Sequence, residues 1–401
     1  MHIDLLSPAS FIGGQPHDQF RWLRENDPVH WHEEPGGRGY WAVTRYEDVW
    51  TVDRDFQTYS SEPTIMIADP AAGQPGGGGI GPYKMMLMMD PPEHAGFRKL
   101  IRQEFTLPSA RLRGERIAAL ARQIVDAVAA KGECDFVADI AGEMPSFVIA
   151  ELMGLPLDDG RELYKLTETI HTAPEALPPG AGGQAVAKMF EYGSRVIAAK
   201  RAKPGDDLAS KLLAAEMDGR RLEDVEFLLF FLLLVDAGGD TTRNLLSGGL
   251  LALMQRPDQL AWLTQDLDAR LPAARDELLR WTSPVVYMRR TARHDAELNG
   301  AKIKAGDKVV MYFGAANRDP ARFDHPDTLD LARPMEDGHL AFGAGPHVCL
   351  GQHIAKIEID AMLREVLTRL DGFELASEPE WLPSNFISGP KSMPIRYRAA
   401  G

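Results

Sequence analysis

No stretch narrows the possible folds as sharply as Leu222 to Met254. Within it, the nine residues Phe227 to Val235 are apolar on every side. A helix without a polar face has to be buried, at the centre of a large domain. Nine residues fall far short of the roughly 20 that a membrane-spanning helix needs. Directly after them comes Asp236-Ala237-Gly238-Gly239-Asp240-Thr241-Thr242. Two adjacent glycines inside a helix cost roughly 1 kcal/mol each against alanine, and a buried, unpaired carboxylate is costlier still. A helix that keeps both has a reason. For Asp240 the plain reading is an i,i+3 pair with Arg243, and for Thr241 a bond back to a carbonyl one turn earlier. Neither explains the glycines. The functional reading is that Gly238 and Gly239 let the helix open for a small ligand, with Asp240 and Thr241 handling protons beside it.

The second constraint is Phe342-Gly343-Ala344-Gly345-Pro346-His347-Val348-Cys349-Leu350-Gly351, a glycine-punctuated loop that delivers a cysteine to the start of an apolar-periodic run, Ile354 to Leu370. Gly343, Gly345 and Gly351 let the backbone turn sharply or pass close to something flat. A cysteine at a helix N-terminus sits beside free N–H groups, an environment that lowers a thiol's pKa and favours thiolate. Three readings compete for Cys349: a buried structural thiol, a zinc ligand flanked by His347 and His353, and a thiolate ligand to haem iron.

Composition excludes several functions. The formal charge of -14, from 44 basic and 58 acidic residues, argues against a nucleic-acid or anionic-membrane surface. Cys134 and Cys349 lie far apart, so a disulfide framework is not expected. Met1 to Gly14 has neither a cationic nor an apolar signal segment. A soluble, cytoplasmic protein without a membrane anchor is the expectation. At 401 residues length alone suggests roughly two or three domains. No linker-like stretch divides the chain, so one domain over residues 1–401 is favoured.

Other segments precede these two or, at Glu277 to Pro284, lie between them. Tyr40 to Thr44 reads as a strand, and Gln19 to Asn26 and Tyr46 to Asp53 as short helices. Ser60 to Pro82, with Gly76 to Gly79 at its centre, reads as a long functional loop. Met85, Met86, Leu87, Met88 and Met89 beside it suit an adaptable apolar surface or plain core packing. Asp90-Pro91-Pro92-Glu93 opens a helix on which His94 and Arg98 share a face, an arrangement suited to a common anion. Glu277 and Arg280 lie one turn apart on another helix, which Pro284 ends.

Taken in order, these stretches resemble the cytochrome P-450 superfamily. The loop matches that family's cysteine-ligand signature (Phe, Gly, x, Gly, x, His, x, Cys, x, Gly) at every fixed position, and Ala237 to Thr242 resembles its oxygen-binding motif. The resemblance implies a mainly α fold with small β-sheets, a triangular, helix-rich domain around a buried haem b (iron protoporphyrin IX). It implies Cys349 as the iron's ligand, with Phe342, Gly343, His347 and Gly351 around it, and His94, Arg98, Arg290 and His347 as partners of the haem propionates. Thr241 would bond the oxygen ligand and Asp240 would relay protons. Glu277, Arg280 and Arg333 would form a buried structural network. Met86, Val235, Gly238, Val285, Val286 and Phe386 would face the substrate.

The implied activity is hydroxylation of a C–H bond in a hydrophobic small molecule, a terpenoid, sterol or lipid, with O2 and electrons from NAD(P)H. Ser283 to Arg290 and Ser384 to Pro394 look like bacterial hydroxylases of sterol side chains and methyl-branched lipids. No Gly-x-Gly-x-x-Gly nucleotide fingerprint follows a strand, so electrons are expected from a ferredoxin and its reductase. The ferredoxin would dock near Arg98, Lys99, Arg102 and Lys356. Three alternatives remain: a peroxide-driven haem enzyme that does not need Thr241, a haem-binding sensor or carrier, and a zinc protein.

Overall fold

The computed structural model describes residues 1–69, 83–335 and 338–400. Gly76 to Gly79, the centre of the expected loop, lie outside the described residues. The helices in chain order are α1 (His17–Asn26), α2 (Tyr46–Arg54), α3 (Glu93–Ile101), α4 (Leu107–Leu112), α5 (Gly114–Asp126), α6 (Glu143–Met153) and α7 (Leu157–His171). They continue as α8 (Ala181–Ala202), α9 (Leu208–Ala214), α10 (Asp224–Met254), α11 (Pro257–Gln265), α12 (Leu267–Thr282), α13 (Phe313–Ala316) and α14 (Gln352–Arg369).

The largest core cluster gathers around α10. Its 31 residues begin with a capping box, in which Glu223 and Glu226 each satisfy a backbone N–H of the other's position. Arg220 holds the Glu226 carboxylate with two bonds of 2.7 Å. Phe227, Leu229, Phe230, Phe231, Leu232 and Leu233 are all buried, as a helix that is apolar all round requires. α6, α7, α8, α12 and α14 pack against it.

The expectation that Gly238 and Gly239 open the helix is corrected, because α10 runs through them without a break. Thr241 Oγ1 donates to the Ala237 carbonyl at 3.0 Å, the ordinary back-bond of a helical threonine. Crowding does not require glycine at either position, since a Cβ would make only ordinary contacts. A Cβ on Gly239 would lie 3.6 Å from Thr167 Oγ1 and 3.7 Å from Tyr164, both on α7, while one on Gly238 would meet only Ile149.

The largest sheet has five strands, in the order Val29–His32, Tyr40–Val43, Lys308–Tyr312, Tyr287–Ala292, Tyr59–Ser60. Tyr287–Ala292 runs antiparallel to Lys308–Tyr312, with Arg290 opposite Val309. Alternation along this strand sends Met288 and Arg290 to one face and Tyr287 and Arg289 to the other. A buried network ties α12 to the segment before the cysteine loop. Arg280 makes two 2.7 Å bonds to Glu277, and Arg333 Nε reaches the same carboxylate at 3.1 Å. Among the described residues no single helix is long and apolar enough to cross a membrane.

Candidate active site

Between α10 and the cysteine loop lies a cavity that opens to solvent, about 1620 Å³ with that open space included. Ala237, Gly238, Thr241 and Thr242 line one side. Phe342, Gly343, Cys349, Leu350 and Gly351 line the opposite side, continued along α14 by Ile354, Ala355 and Glu358. Residues 351, 354, 355 and 358 form a single helical stripe.

The loop is held from two directions. Within it, the Cys349 N–H donates to the Phe342 carbonyl at 2.8 Å and the Gly343 N–H to Leu340 at 2.9 Å. From outside, Asp53 at the end of α2 accepts the Ala344 N–H at 2.7 Å and pairs with Arg290 at 2.7 Å. Gly345 has φ +62°, and a Cβ there would lie 2.8 Å from the Asp53 carbonyl and 2.9 Å from Arg54 Cα. Only glycine permits both that backbone angle and that approach.

Cys349 is partly open, and the space it faces is the cavity. Burial pushes its thiol pKa up, while the N–H groups of Gly351 and Gln352 and the Arg98 guanidinium pull it down without prevailing. The lowering expected from the helix start is therefore outweighed. A metal ion bound at the sulfur would secure the thiolate. A Cβ on Gly351 would come 4.0 Å from Sγ, so its absence keeps the space beside the sulfur clear.

At one end of the cavity stand Arg98, Arg290, His94 and His347. Arg98 donates to the Val348 carbonyl at 2.6 Å and has no ion-pair partner among the described residues. A guanidinium that burial disfavours and no carboxylate balances calls for an anionic ligand. The rings of His94 and His347 lie 4.1 Å apart. Burial first, and the neighbouring arginines second, bring His94 down to about 4 and hold His347 well below its ordinary range. The positive charge at this end thus comes from the arginines, while the imidazoles are neutral. His347 Nε2 donates to the Met89 carbonyl at 3.1 Å and lies 3.0 Å from Ser61 Oγ.

One cysteine sulfur, an apolar slot, and at one end the guanidinium of Arg98, unpaired among the described residues, with Arg290 on Asp53 beside it, would suit haem b, a flat apolar group with carboxylates at one edge. Zinc does not suit. Among the described residues no three His, Cys, Asp or Glu side chains come together to hold a metal ion.

Of the expected substrate contacts, Met86, Gly238 and Val285 line the cavity, whereas Val235, Val286 and Phe386 do not. Chain direction explains each correction. Val285 and Val286 are consecutive in extended chain, so one faces the cavity and the other is fully buried beside the sheet. Val235 is turned into the main core. The Phe386 ring packs against Tyr287 at 5.2 Å and His171 at 5.9 Å.

Asp240 sits one residue from the cavity wall and faces α7. His171 Nδ1 hydrogen-bonds Asp240 Oδ2, and Arg243 lies 3.3 Å from Oδ1. The i,i+3 pair read from the sequence is thus present, joined by a histidine that sequence reasoning missed. No local pattern could have joined His171 to a residue 69 positions later. Glu358 was also missed, although a carboxyl within an otherwise apolar stripe of α14 is a visible signal. Burial drives it up to about 8, against the pull of a hydrogen bond with Thr242.

A family model for cytochrome P-450 matches residues 183–388. Steroid C26-monooxygenase of Mycolicibacterium smegmatis is 36% identical over 401 aligned residues, spanning 98% of this chain and 96% of its own. Methyl-branched lipid omega-hydroxylase of Mycobacterium bovis is 36% identical, spanning 94% of this chain and 90% of its own. Among solved structures, cytochrome P-450 CYP268A2 of Mycobacterium marinum, in complex with pseudoionone, superposes with a TM-score of 0.90 at 35% identity, over 99% of this chain and 98% of that one.

Proposed function

This chain belongs to the cytochrome P-450 family and is a haem b monooxygenase, and on that premise we propose that it hydroxylates a C–H bond of an apolar lipid, terpenoid or sterol. The observation that carries the substrate class is the cavity wall, which away from its arginine end is built from Ile65, Met86, Leu87, Val148, Ile149 and Val285. Such a wall offers burial and few polar anchors, so it favours ligands by shape and apolar area. The names of two relatives, a steroid C26-monooxygenase and a methyl-branched lipid omega-hydroxylase, point the same way.

Haem held by a thiolate supplies the activation of O2 and the insertion of one oxygen atom into substrate, the other leaving as water. Cys349 would hold the iron. Phe342, Gly343 and Gly351 would lie against the macrocycle, and Arg98 and Arg290 would pair with its carboxylates, with His94 and His347 beside them. Thr241, on the cavity wall, would hand on protons that Asp240 brings to it.

Electrons would come from NAD(P)H through a ferredoxin reductase and an acidic ferredoxin. The docking patch needs redrawing from the sequence expectation. Arg98 is drawn inward, and Lys356 pairs with Asp276 at 3.1 Å, which leaves Lys99 and Arg102 exposed. A reduction rate indifferent to ionic strength would count against this surface. The protein is proposed to work in the cytoplasm as one unit, with both cysteines reduced.

The test is a reduced, carbon-monoxide-bound absorption spectrum of wild type and Cys349→Ala. A ligand screen for spectral shifts with a steroid, a methyl-branched fatty acid and pseudoionone then follows, with product analysis. A variant that keeps its pigment and Soret position removes the thiolate from the reading. Turnover driven by hydrogen peroxide but not by NAD(P)H and ferredoxin supports the peroxygenase alternative.

A further inference from the structure

His171 closes α7, and both of its ring nitrogens meet carboxylates of α10. Nε2 lies 3.2 Å from Asp236 Oδ2, and Nδ1 bonds Asp240 Oδ2. Side-chain exposure falls along this line, from 25% at Asp236 through 7% at His171 to 0% at Asp240. The three groups form a file that leads from solvent to the acid beside Thr241.

We propose that Asp236 and His171 are the outer stations of a proton path that ends at Asp240. The inference rests on Asp240 and Thr241 being the proton-handling end of the site.

A simple latch between α7 and α10 needs one carboxylate on the imidazole, and here there are two. The second oxygens of both carboxylates, Asp236 Oδ1 and Asp240 Oδ1, have no hydrogen-bond partner among the described residues, so no hydrogen bond ties either acid down from its far side. The remaining charged groups are few. Arg243 faces the other oxygen of Asp240, and itself meets Tyr164 and, at 3.3 Å, Glu168 on α7. Lys391 stands 3.9 Å from Glu168, and the Phe386 ring closes another side of the imidazole. The two carboxylates outweigh burial and raise His171 to about 10, so the ring rests as an imidazolium with a proton facing Asp240.

In the step, the Nδ1–H bond breaks as an O–H bond forms on Asp240, and no electrons move. Against burial, Arg243 and the imidazolium hold the Asp240 carboxyl below its ordinary range, so the transfer is uphill and is drawn forward only as Asp240 passes its proton on to Thr241. The neutral ring keeps its Nε2–H, so it turns over to bring its bare nitrogen to Asp236, where it takes up a proton supplied from water. A proton that arrives on Asp236 before the transfer removes one of the imidazolium's two anionic supports, so that the ring releases its own to Asp240 more readily.

Two measurements test this on the haem-loaded protein. Histidine-labelled NMR of the ferrous, carbon-monoxide-bound form should show one ring doubly protonated from about pH 6 to about pH 9, lost in His171→Gln. If every histidine ring is neutral at pH 8, the path is wrong. In the second, O2 consumption driven by NAD(P)H through a ferredoxin and its reductase is timed in H2O and in D2O, so that the second electron that makes proton delivery necessary is supplied. His171→Gln and Asp236→Asn should each slow it about tenfold. Asp236→Asn sits at the more exposed end and keeps an acceptor for Nε2, so it tests the path should His171→Gln fail to fold. Rates in Asp236→Asn within about twofold of wild type, with a normal solvent isotope effect, overturn the proposal. Wild-type protein without a carbon-monoxide spectrum would sink the haem reading instead, a distinguishable failure.

Discussion

Glu358→Gln is the most informative single substitution. The carboxyl is 5% exposed and is held at about 8 against an ordinary 4.5. In the unfolded chain it ionises near 4.5, while in the fold it stays neutral to about 8. Its contribution to stability is therefore fully present below about pH 4.5 and is lost as pH rises toward 8. Each pH unit in that interval is worth about 1.4 kcal/mol, so the whole loss approaches about 5 kcal/mol. Glutamine has the same shape, can still bond Thr242, and never ionises. The variant should match wild type near pH 5 and overtake it steadily, by about 3 kcal/mol at pH 7. Urea midpoints of the two haem-loaded proteins across this range, read by fluorescence, give the difference directly, because the cofactor's contribution is common to both. Two curves that run parallel from pH 5 to pH 8 would refute the claim that a neutral carboxyl is buried on the cavity wall.

Three further outcomes follow from the geometry. Gly345→Ala should cost about 2 kcal/mol or more, from a positive φ and a Cβ pressed on the backbone of α2; an unchanged thermal midpoint would contradict it. Arg98→Gln should release haem to an acceptor globin roughly ten- to a hundredfold faster, since a charged hydrogen bond is worth about 1.5–3 kcal/mol. Val285→Trp should abolish ligand-induced spectral shifts in a folded protein, while Val286→Trp should lose about 1–3 kcal/mol of stability. Identical behaviour of these two variants would mean that the facing of this segment is wrong.

The central helix and the cysteine loop are legible because each is a local pattern. An all-apolar run followed by glycines and an acid can be recognised within one stretch of chain, and so can a cysteine framed by Gly343, Gly345 and Gly351. Facing is harder to read. Val285 and Val286 are chemically alike, and only the strand pairing decides which one meets the cavity. The Cys349 thiol shows another limit, for a helix N-terminus lowers a pKa and burial raises it. The sequence reveals the first influence and hides the second. His171 carries no signal at all, because what makes it notable is the approach of α7 to α10 at Asp240, a tertiary event.

That approach also bears on what a side chain at Gly239 would do. Residues advance about 100° each along an unbroken helix, so one wall takes Thr241 and Thr242 together while Asp240 and Arg243 turn away from it. Thr241 and Thr242 line the cavity, while Asp240 and Arg243 face α7 and are buried there. At Gly239 a Cβ would make only ordinary contacts with Tyr164 and Thr167, so only the branches of a larger side chain would press on α7, whose His171 reaches the acid. A larger residue at 239 should therefore act on proton supply by pushing α7 away, without touching the cavity wall. In Gly239→Val the His171 ring should lose its high pKa, while the carbon-monoxide spectrum stays that of wild type. If the cysteine-side spectrum changes first, the glycine serves the cavity after all, and the division of labour between the two faces of α10 fails.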